Sequence, residues 1–255
     1  MRTIALVNNK GGQGKTTTAV NLSAFLAAQE KKTLLIDLDS QKSASLSLGF
    51  DDNEDKTIAS VLIEDEPIQN AIKKTSVDNL DIIVGDIALS NLDVIIAGIK
   101  GREHKLKDSL KVVKNQYDYI FLDSPPSLSL LTINSLVASD YVLVPVTPQY
   151  LSMEGLRQLL SVISKIKNTM NARVKLLGIV FTMVDYRMKV TDEVIKTIRA
   201  HFKKEVFKTV IRQNVKLIEA PSFSKTIFDY AGSSAGAECY RMLGREVIKR
   251  CQSKN

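Results

Sequence analysis

Hydrophobic and polar positions along the chain follow two patterns in turn. Residues 3–7, 33–39, 80–84, 119–123, 141–146, 174–181 and 206–211 are short, nearly continuous apolar runs, which read as strands buried on both faces. Between them, apolar residues recur at three- and four-residue spacing. Ala19, Leu22, Phe25 and Leu26 predict a helix after the first run. Further helices are predicted over residues 58–72, 100–115, 130–138, 152–168, 191–202 and 235–249. Strands alternating with helices predict an α/β fold, a mostly parallel sheet covered by helices on both faces. No repeat, low-complexity tract or linker divides residues 1–255, so a single domain is expected.

Several runs end in chemistry. The first passes into Asn9-Lys10-Gly11-Gly12-Gln13-Gly14-Lys15-Thr16-Thr17 and then into a helix. Glycines let successive backbone N–H groups face one point at the positive end of a helix dipole, a geometry suited to phosphate. Lys15 supplies a positive charge for the outer phosphates and Thr16 a hydroxyl for Mg²⁺. The general P-loop pattern has glycine five residues before the Gly-Lys pair; this chain has Asn9 there, followed by a second lysine, Lys10.

Asp37 and Asp39 close the second run, and their two-residue spacing would place both on one side of a strand. Asp123 closes the 119–123 run just before Pro125-Pro126, with the character of an acid that holds Mg²⁺ or its water. Strand ends of this kind converge on the ligand crevice of an open α/β sheet. Either member of the Asp37/Asp39 pair could orient an attacking water, Asp39 being better placed beyond the strand. An acidic loop is expected over residues 51–55.

Composition narrows the picture modestly. Charged residues make up 25% and hydrophobic residues 44%, ordinary for a globular protein. The 35 Lys+Arg exceed 28 Asp+Glu by seven, which permits an anionic partner without requiring one. The two cysteines, Cys239 and Cys251, form no metal-binding motif and predict free thiols in a cytoplasmic protein. No apolar run approaches the roughly 18 residues of a membrane span.

With these residues in place, residues 9–17 resemble the deviant Walker A motif, KGGxGK[ST]T, of the ParA/MinD family of P-loop ATPases. Residues 35–41 resemble the family's DxDPQ segment, with Ser40 in place of proline. Residues 123–127 are similar to its DxPPS segment, and residues 145–156 to its VPVxPxxxxxEGL stretch. Residues 178–187 and 209–222 resemble later blocks of the chromosomal ParA/Soj branch. Gln13 stands where the family often has Val or Ile, and Arg212-Gln213 where the branch usually has Pro-Arg.

The resemblance implies a P-loop NTPase fold with ATP and Mg²⁺ as cofactors and slow, dimerisation-gated hydrolysis. Residues Lys10, Gly11, Gly12, Gln13, Gly14, Lys15, Thr16, Thr17 and Asn214 would contact nucleotide. Thr16, Asp39 and Asp123 would serve the metal; Lys10, Lys15 and Asp39 would serve hydrolysis, with Lys10 reaching across a homodimer to the partner's ATP. A basic surface bearing Arg187, Lys189, Arg212, Lys216 and Lys225 would bind DNA without sequence preference. A ParB-type protein would be the further partner, in chromosome or plasmid segregation, and the protein would be nucleoid-associated. The alternative is a MinD-like positioning ATPase anchored to membrane by a basic amphipathic terminal helix. In that helix Tyr240, Leu243, Val247 and Cys251 share one face, which is sparse for an anchor and suits docking on the core better.

Overall fold

A computed structural model describes residues 1–51, 54–149 and 152–253. Asp52 and Asn53 of the expected acidic loop, Tyr150 and Leu151 of the 145–156 stretch, and Lys254 and Asn255 lie outside the described residues.

The apolar runs form strands β1 (Arg2–Leu6), β2 (Thr33–Asp37), β4 (Leu80–Ile83), β5 (Tyr119–Asp123), β6 (Tyr141–Val146), β7 (Lys175–Val184) and β8 (Val206–Arg212), with a short β3 at Ile72–Lys74. Among the described residues they make one eight-stranded sheet in the order β3-β4-β2-β5-β1-β6-β7-β8. Every pairing is parallel except β3 with β4. The fold class read from the alternating pattern is the one observed.

Period-two geometry divides each strand between two cores. Ala5 and Val7 face one side, where they join helices α3 (Ile58–Ile63), α5 (Lys105–Leu110), α6 (Leu130–Ala138), α7 (Ser152–Thr169) and α8 (Lys189–Phe202). Ile4 and Leu6 face the other, packed with α1 (Lys15–Ala27) and α11 (Ala235–Ser253). Both faces are therefore dry, which is why the strands read as unbroken apolar runs rather than alternating ones. Tyr240, Leu243, Val247 and Cys251 of α11 are all buried, and a Cβ on Gly244 would fall 2.1 Å from Phe25 Cδ1. The apolar face of the terminal helix is thus spent on the core. No helix among the described residues is long and apolar enough to cross a membrane.

Two predicted helices are shorter than expected. The 58–72 helix ends at Ile63; Pro67 then opens a 3-10 turn (Ile68–Ala71), and the chain turns into the antiparallel edge strand β3. Proline cannot extend the helical hydrogen-bond ladder, and Asp65 adopts a left-handed conformation (φ 57°) just before it. The 100–115 helix is reduced to α5. After Leu110 the chain continues in three-residue bonds, Val113 N–H to Leu110 O and Gln116 N–H to Val113 O, while Leu106, Leu110 and Val113 stay buried. Helices α2 (Ser43–Ser47), α4 (Leu92–Ile95), α9 (Val215–Glu219) and α10 (Ile227–Ala231) were not anticipated; each is too short to display periodicity.

Candidate nucleotide site

The topology explains where the acids meet. Strand β5 lies between β2 and β1, and the register pairs Asp123 with Asp37 on one side and Leu6 on the other. The loop after β1 therefore curls over the end of β5, beside the end of β2. Gly12 (φ 68°) and Gly14 (φ 73°) adopt left-handed conformations that residues with a Cβ rarely take. Gly14 is the N-cap of α1 and offers no side chain to cap its N–H groups, which stay available to an anion.

Gly11 to Thr17, Asp39, Ser43, Leu46, Ser47, Pro126, Pro221 and Ser222 surround a cavity of about 530 Å³. Beside it, Gly14, Thr17, Thr182, Met183, Ile211, Arg212, Gln213, Asn214, Leu217, Ile218 and Tyr240 line a narrower slot of about 100 Å³. Thr17 and Gly14 belong to both, so cavity and slot are contiguous. A polar cradle opening into a slender, largely apolar slot matches a phosphate chain joined to a flat base. Met183 sits at φ 49° where the β7–β8 register shifts, and this irregularity lets the end of β7 form a wall of the slot.

Electrostatics are concentrated at Lys15, Asp123 and Asp37. Lys15 is 6% exposed; burial lowers its pKa, opposed by the nearby charges of Asp123 and Asp39. Asp123 is fully buried, and neither carboxylate oxygen has a hydrogen-bond partner of ordinary geometry. Burial, reinforced by the charge of Asp37, pushes its pKa to about 8, while the Thr16 hydroxyl and Lys15 pull the other way. Buried, unpartnered carboxylate oxygens are costly unless they answer to a ligand. The Asp123 carboxylate, the Thr16 hydroxyl and Asp39 together suit Mg²⁺, which is commonly held by one or two protein oxygens plus phosphates. No group of three or more His, Cys, Asp or Glu side chains forms an all-protein metal cage among the described residues.

Asp37 and Asp39 have different duties. The strand ends at Asp37, so the two carboxylates do not share one side of it as the spacing suggested. Asp37 Oδ2 accepts from Ser45 N–H at 2.9 Å and Ser45 Oγ at 2.8 Å, and Oδ1 accepts from Asp39 N–H at 3.1 Å. Ser45 Oγ also accepts from Gly85 N–H at 3.0 Å. Burial still raises the Asp37 pKa to about 6 against these bonds. Asp37 thus anchors the 38–45 loop, and Asp39 is the acid that faces the cavity.

Sequence reasoning missed this anchor. Ser45 and Gly85 are remote in sequence and belong to no motif; a Cβ on Gly85 would lie 2.7 Å from Asp39 O. It also missed the clamp at Gln13. The Gln13 side chain accepts from Thr147 N–H at 2.9 Å and Thr147 Oγ at 3.0 Å, while Gln13 O accepts from Thr182 Oγ. The loop is thereby fixed to the ends of both β6 and β7.

Lys10 stands apart. It is exposed, does not line the cavity, and donates through Nζ to Gln149 Oε1 at 3.2 Å. Asn214 lines the slot, where its Oδ1 caps α9 by accepting from Lys216 N–H at 2.9 Å. The basic candidates lie in loops and at element ends, and one of them, Arg212 at the end of β8, lines the slot itself. Arg187 is bonded to Asp185, Arg212 stacks over Tyr186 at 5.6 Å, and Lys216 pairs with Glu219; Lys189 and Lys225 are exposed.

Comparison with known proteins agrees with this geometry. A family model described as an AAA domain matches residues 1–176. The chain is 42% identical over 255 residues to the chromosome partitioning protein ParA of Myxococcus xanthus, covering 100% of this chain and 90% of that one. It is 43% identical over 245 residues to the sporulation initiation inhibitor protein Soj of Bacillus subtilis, covering 96% and 97%. Among solved structures, cobyrinic acid a,c-diamide synthase from Mycobacterium smegmatis, with bound ATP analog and magnesium, superposes with a TM-score of 0.87 at 28% identity, covering 100% and 97%. The cradle built on Lys15, the acids at the ends of β2 and β5, and end-to-end similarity at this level place the chain in the ParA/Soj family of chromosome-partitioning P-loop ATPases.

Proposed function

We propose that the chain is a partition ATPase that binds ATP with Mg²⁺, pairs with a second copy around two nucleotides, and binds DNA non-specifically while paired. Hydrolysis, slow until the dimer forms and stimulated by a ParB-type partner, ends that state and drives segregation of a chromosome or plasmid. The observation that carries this reading is the division of labour between two lysines. Lys15 is buried at the cradle with Asp123 and Asp39, whereas Lys10 is exposed, is not among the lining residues of its own cavity and donates to Gln149.

In this reading the backbone N–H groups of residues 11–17 bind the phosphates and Lys15 holds their outer oxygens. Thr16 and Asp123 hold the metal, which when bound neutralises charge on the phosphate oxygens. Asp39 orients the attacking water and accepts its proton, a role that Asp37 cannot share because Ser45 occupies it. Lys10 of each subunit completes the other's site, as an arginine finger does, so hydrolysis waits for dimerisation. Asn214 meets the base in the slot. Arg187, Lys189, Arg212, Lys216 and Lys225 form the DNA face. The MinD-like alternative gains no support from α11, whose apolar face is buried.

The test is gel filtration of wild type, Lys10→Ala and Asp39→Ala with ATP and Mg²⁺, with and without DNA. Wild type and Asp39→Ala should run as dimers, the latter persistently, and Lys10→Ala as a monomer. A Lys10→Ala protein that dimerises normally with ATP would overturn the shared-site reading.

A further inference from the structure

The five basic residues of the DNA face are not equivalent. Lys189, Arg212 and Lys225 carry no ion pair among the described residues. Arg187 and Lys216 each have an acid of their own. The Arg187 guanidinium donates from Nε to Asp185 Oδ1 at 2.9 Å and Oδ2 at 3.1 Å, and from NH2 to Oδ2 at 2.6 Å. This occupies one of the edges an arginine uses for two-point recognition of phosphate. The acid is itself held: Asp185 Oδ1 accepts from Arg187 N–H at 3.0 Å, and Asp185 O accepts from Thr191 Oγ at 2.9 Å. The Asp185 side chain is 15% exposed while that of Arg187 is 85% exposed.

Lys216 is held in a second cluster. Its Nζ donates to Glu219 Oε2 at 2.8 Å and lies 5.6 Å from the Tyr230 ring centre. Tyr230 donates its hydroxyl to the same Oε2 at 2.8 Å and stacks on Phe223 at 5.0 Å. The next residues after Glu219 include Pro221 and Ser222, which line the phosphate cavity, and Asn214 at the start of α9 lines the base slot. Lys216 and its acid therefore ride on the segment that walls the nucleotide site.

We infer that Asp185 and Glu219 are counter-charges built into the DNA face, which hold Arg187 and Lys216 against the protein and lower its affinity for DNA phosphates. The inference rests on the DNA-binding reading above. Each pair is exposed on its cationic side and therefore weak, so a phosphodiester can displace the acid; the acid's effect is to moderate binding, not to prevent it. A face that must release DNA when hydrolysis separates the dimer is served by cations that have an internal partner to return to. The position of Lys216 beside Pro221 and Ser222 gives the nucleotide site a short physical route to one of the two pairs.

The experiment measures affinity for a non-specific duplex by fluorescence anisotropy, with ATP and Mg²⁺ at fixed salt. The proteins are wild type, Asp185→Asn, Glu219→Gln, Arg187→Ala, Lys216→Ala and the doubles Asp185→Asn/Arg187→Ala and Glu219→Gln/Lys216→Ala. Asn and Gln can keep the oxygen that accepts from Arg187 N–H or from Tyr230, and remove the charge together with the second accepting oxygen, which becomes an amide NH2. Each should bind DNA about two- to five-fold more tightly than wild type, the range of an exposed pair. The gain should disappear in the corresponding Ala background, because each acid acts through its own cation. Glu193→Gln, which removes a charge from α8 that has no ion pair among the described residues, should gain less. No gain in the single variants, or an equal gain in the Ala backgrounds, overturns the inference and leaves the DNA face standing. Wild type that does not bind DNA, or Ala variants that bind as well as wild type, overturns the DNA face and this inference with it.

Discussion

Replacing Ser45 by alanine probes how the fold holds Asp39 at the cavity. Ser45 is 1% exposed, and its hydroxyl both donates to the Asp37 carboxylate at 2.8 Å and accepts from Gly85 N–H at 3.0 Å. Alanine retains the 2.9 Å bond from Ser45 N–H to Asp37 but removes the other two. A hydrogen bond to a charged group contributes about 1.5–3 kcal/mol, and a buried N–H left without a partner costs about 1–3 kcal/mol. The two effects share one side chain and partly overlap, so the expected loss is about 2–4 kcal/mol. Urea unfolding of the nucleotide-free protein, read as a change in midpoint at constant slope, measures it. Ser47→Ala is the control: its hydroxyl bonds to Ser43 O within the same short helix, and its loss should cost less than about 1 kcal/mol. Because Asp39 N–H is bonded to Asp37, loosening Asp37 should lower the rate of ATP hydrolysis more than it weakens ATP binding. A Ser45→Ala protein as stable as the Ser47→Ala protein would refute the anchoring role of this network.

Three further outcomes are expected. Lys15→Ala should abolish ATP binding, measured by titration calorimetry, since Lys15 is the one lysine lining the cavity among the described residues. Gly244→Ala should destabilise the fold by about 1–3 kcal/mol in urea, because the added methyl meets Phe25 at 2.1 Å and either α1 or α11 must shift. Glu246→Gln should destabilise the protein at neutral pH and much less in acid. Burial alone would raise the Glu246 pKa, but N–H groups of Lys208 and Thr209, the Thr209 hydroxyl and Arg250 together lower it. A lowered folded-state pKa means that the carboxylate's stabilisation is complete above its unfolded value, near 4.5, and is lost as pH falls through the folded value. Wild type and Glu246→Gln should therefore converge in stability as the pH falls below 4.5 and through the lowered folded-state value, and a gap that stays constant with pH would contradict the assignment.

The sequence by itself determined the fold class and named the candidate residues of the site. Strands buried on both faces are apolar at nearly every position, so β1, β2, β5 and β6 were legible as runs. A phosphate cradle needs glycine where φ is positive, so Gly12 and Gly14 announced the loop. Asp123 was a candidate because it joins a phosphate-type loop and two further acids at the ends of apolar strands. The spacing of Tyr240, Leu243, Val247 and Cys251 gave α11 one apolar face, and its sparseness favoured docking on the core over a membrane anchor.

Tertiary structure decided what the spacing left open. Asp37 and Asp39 carry the same chemistry two residues apart; only the approach of Ser45 and Gly85 from other elements makes one an anchor and leaves the other at the cavity. The same holds for the two lysines of the loop, identical in kind and separated by the turn that buries Lys15 and leaves Lys10 at the surface. Composition could count positive charges, but whether Arg187 and Lys216 face acids of their own depended on how the loops after β7 and β8 close. Local pattern reports what a residue is and which way its element faces; partners such as Gly85 for Ser45 or Thr147 for Gln13 come from segments far away in sequence, and only the packed chain brings those together.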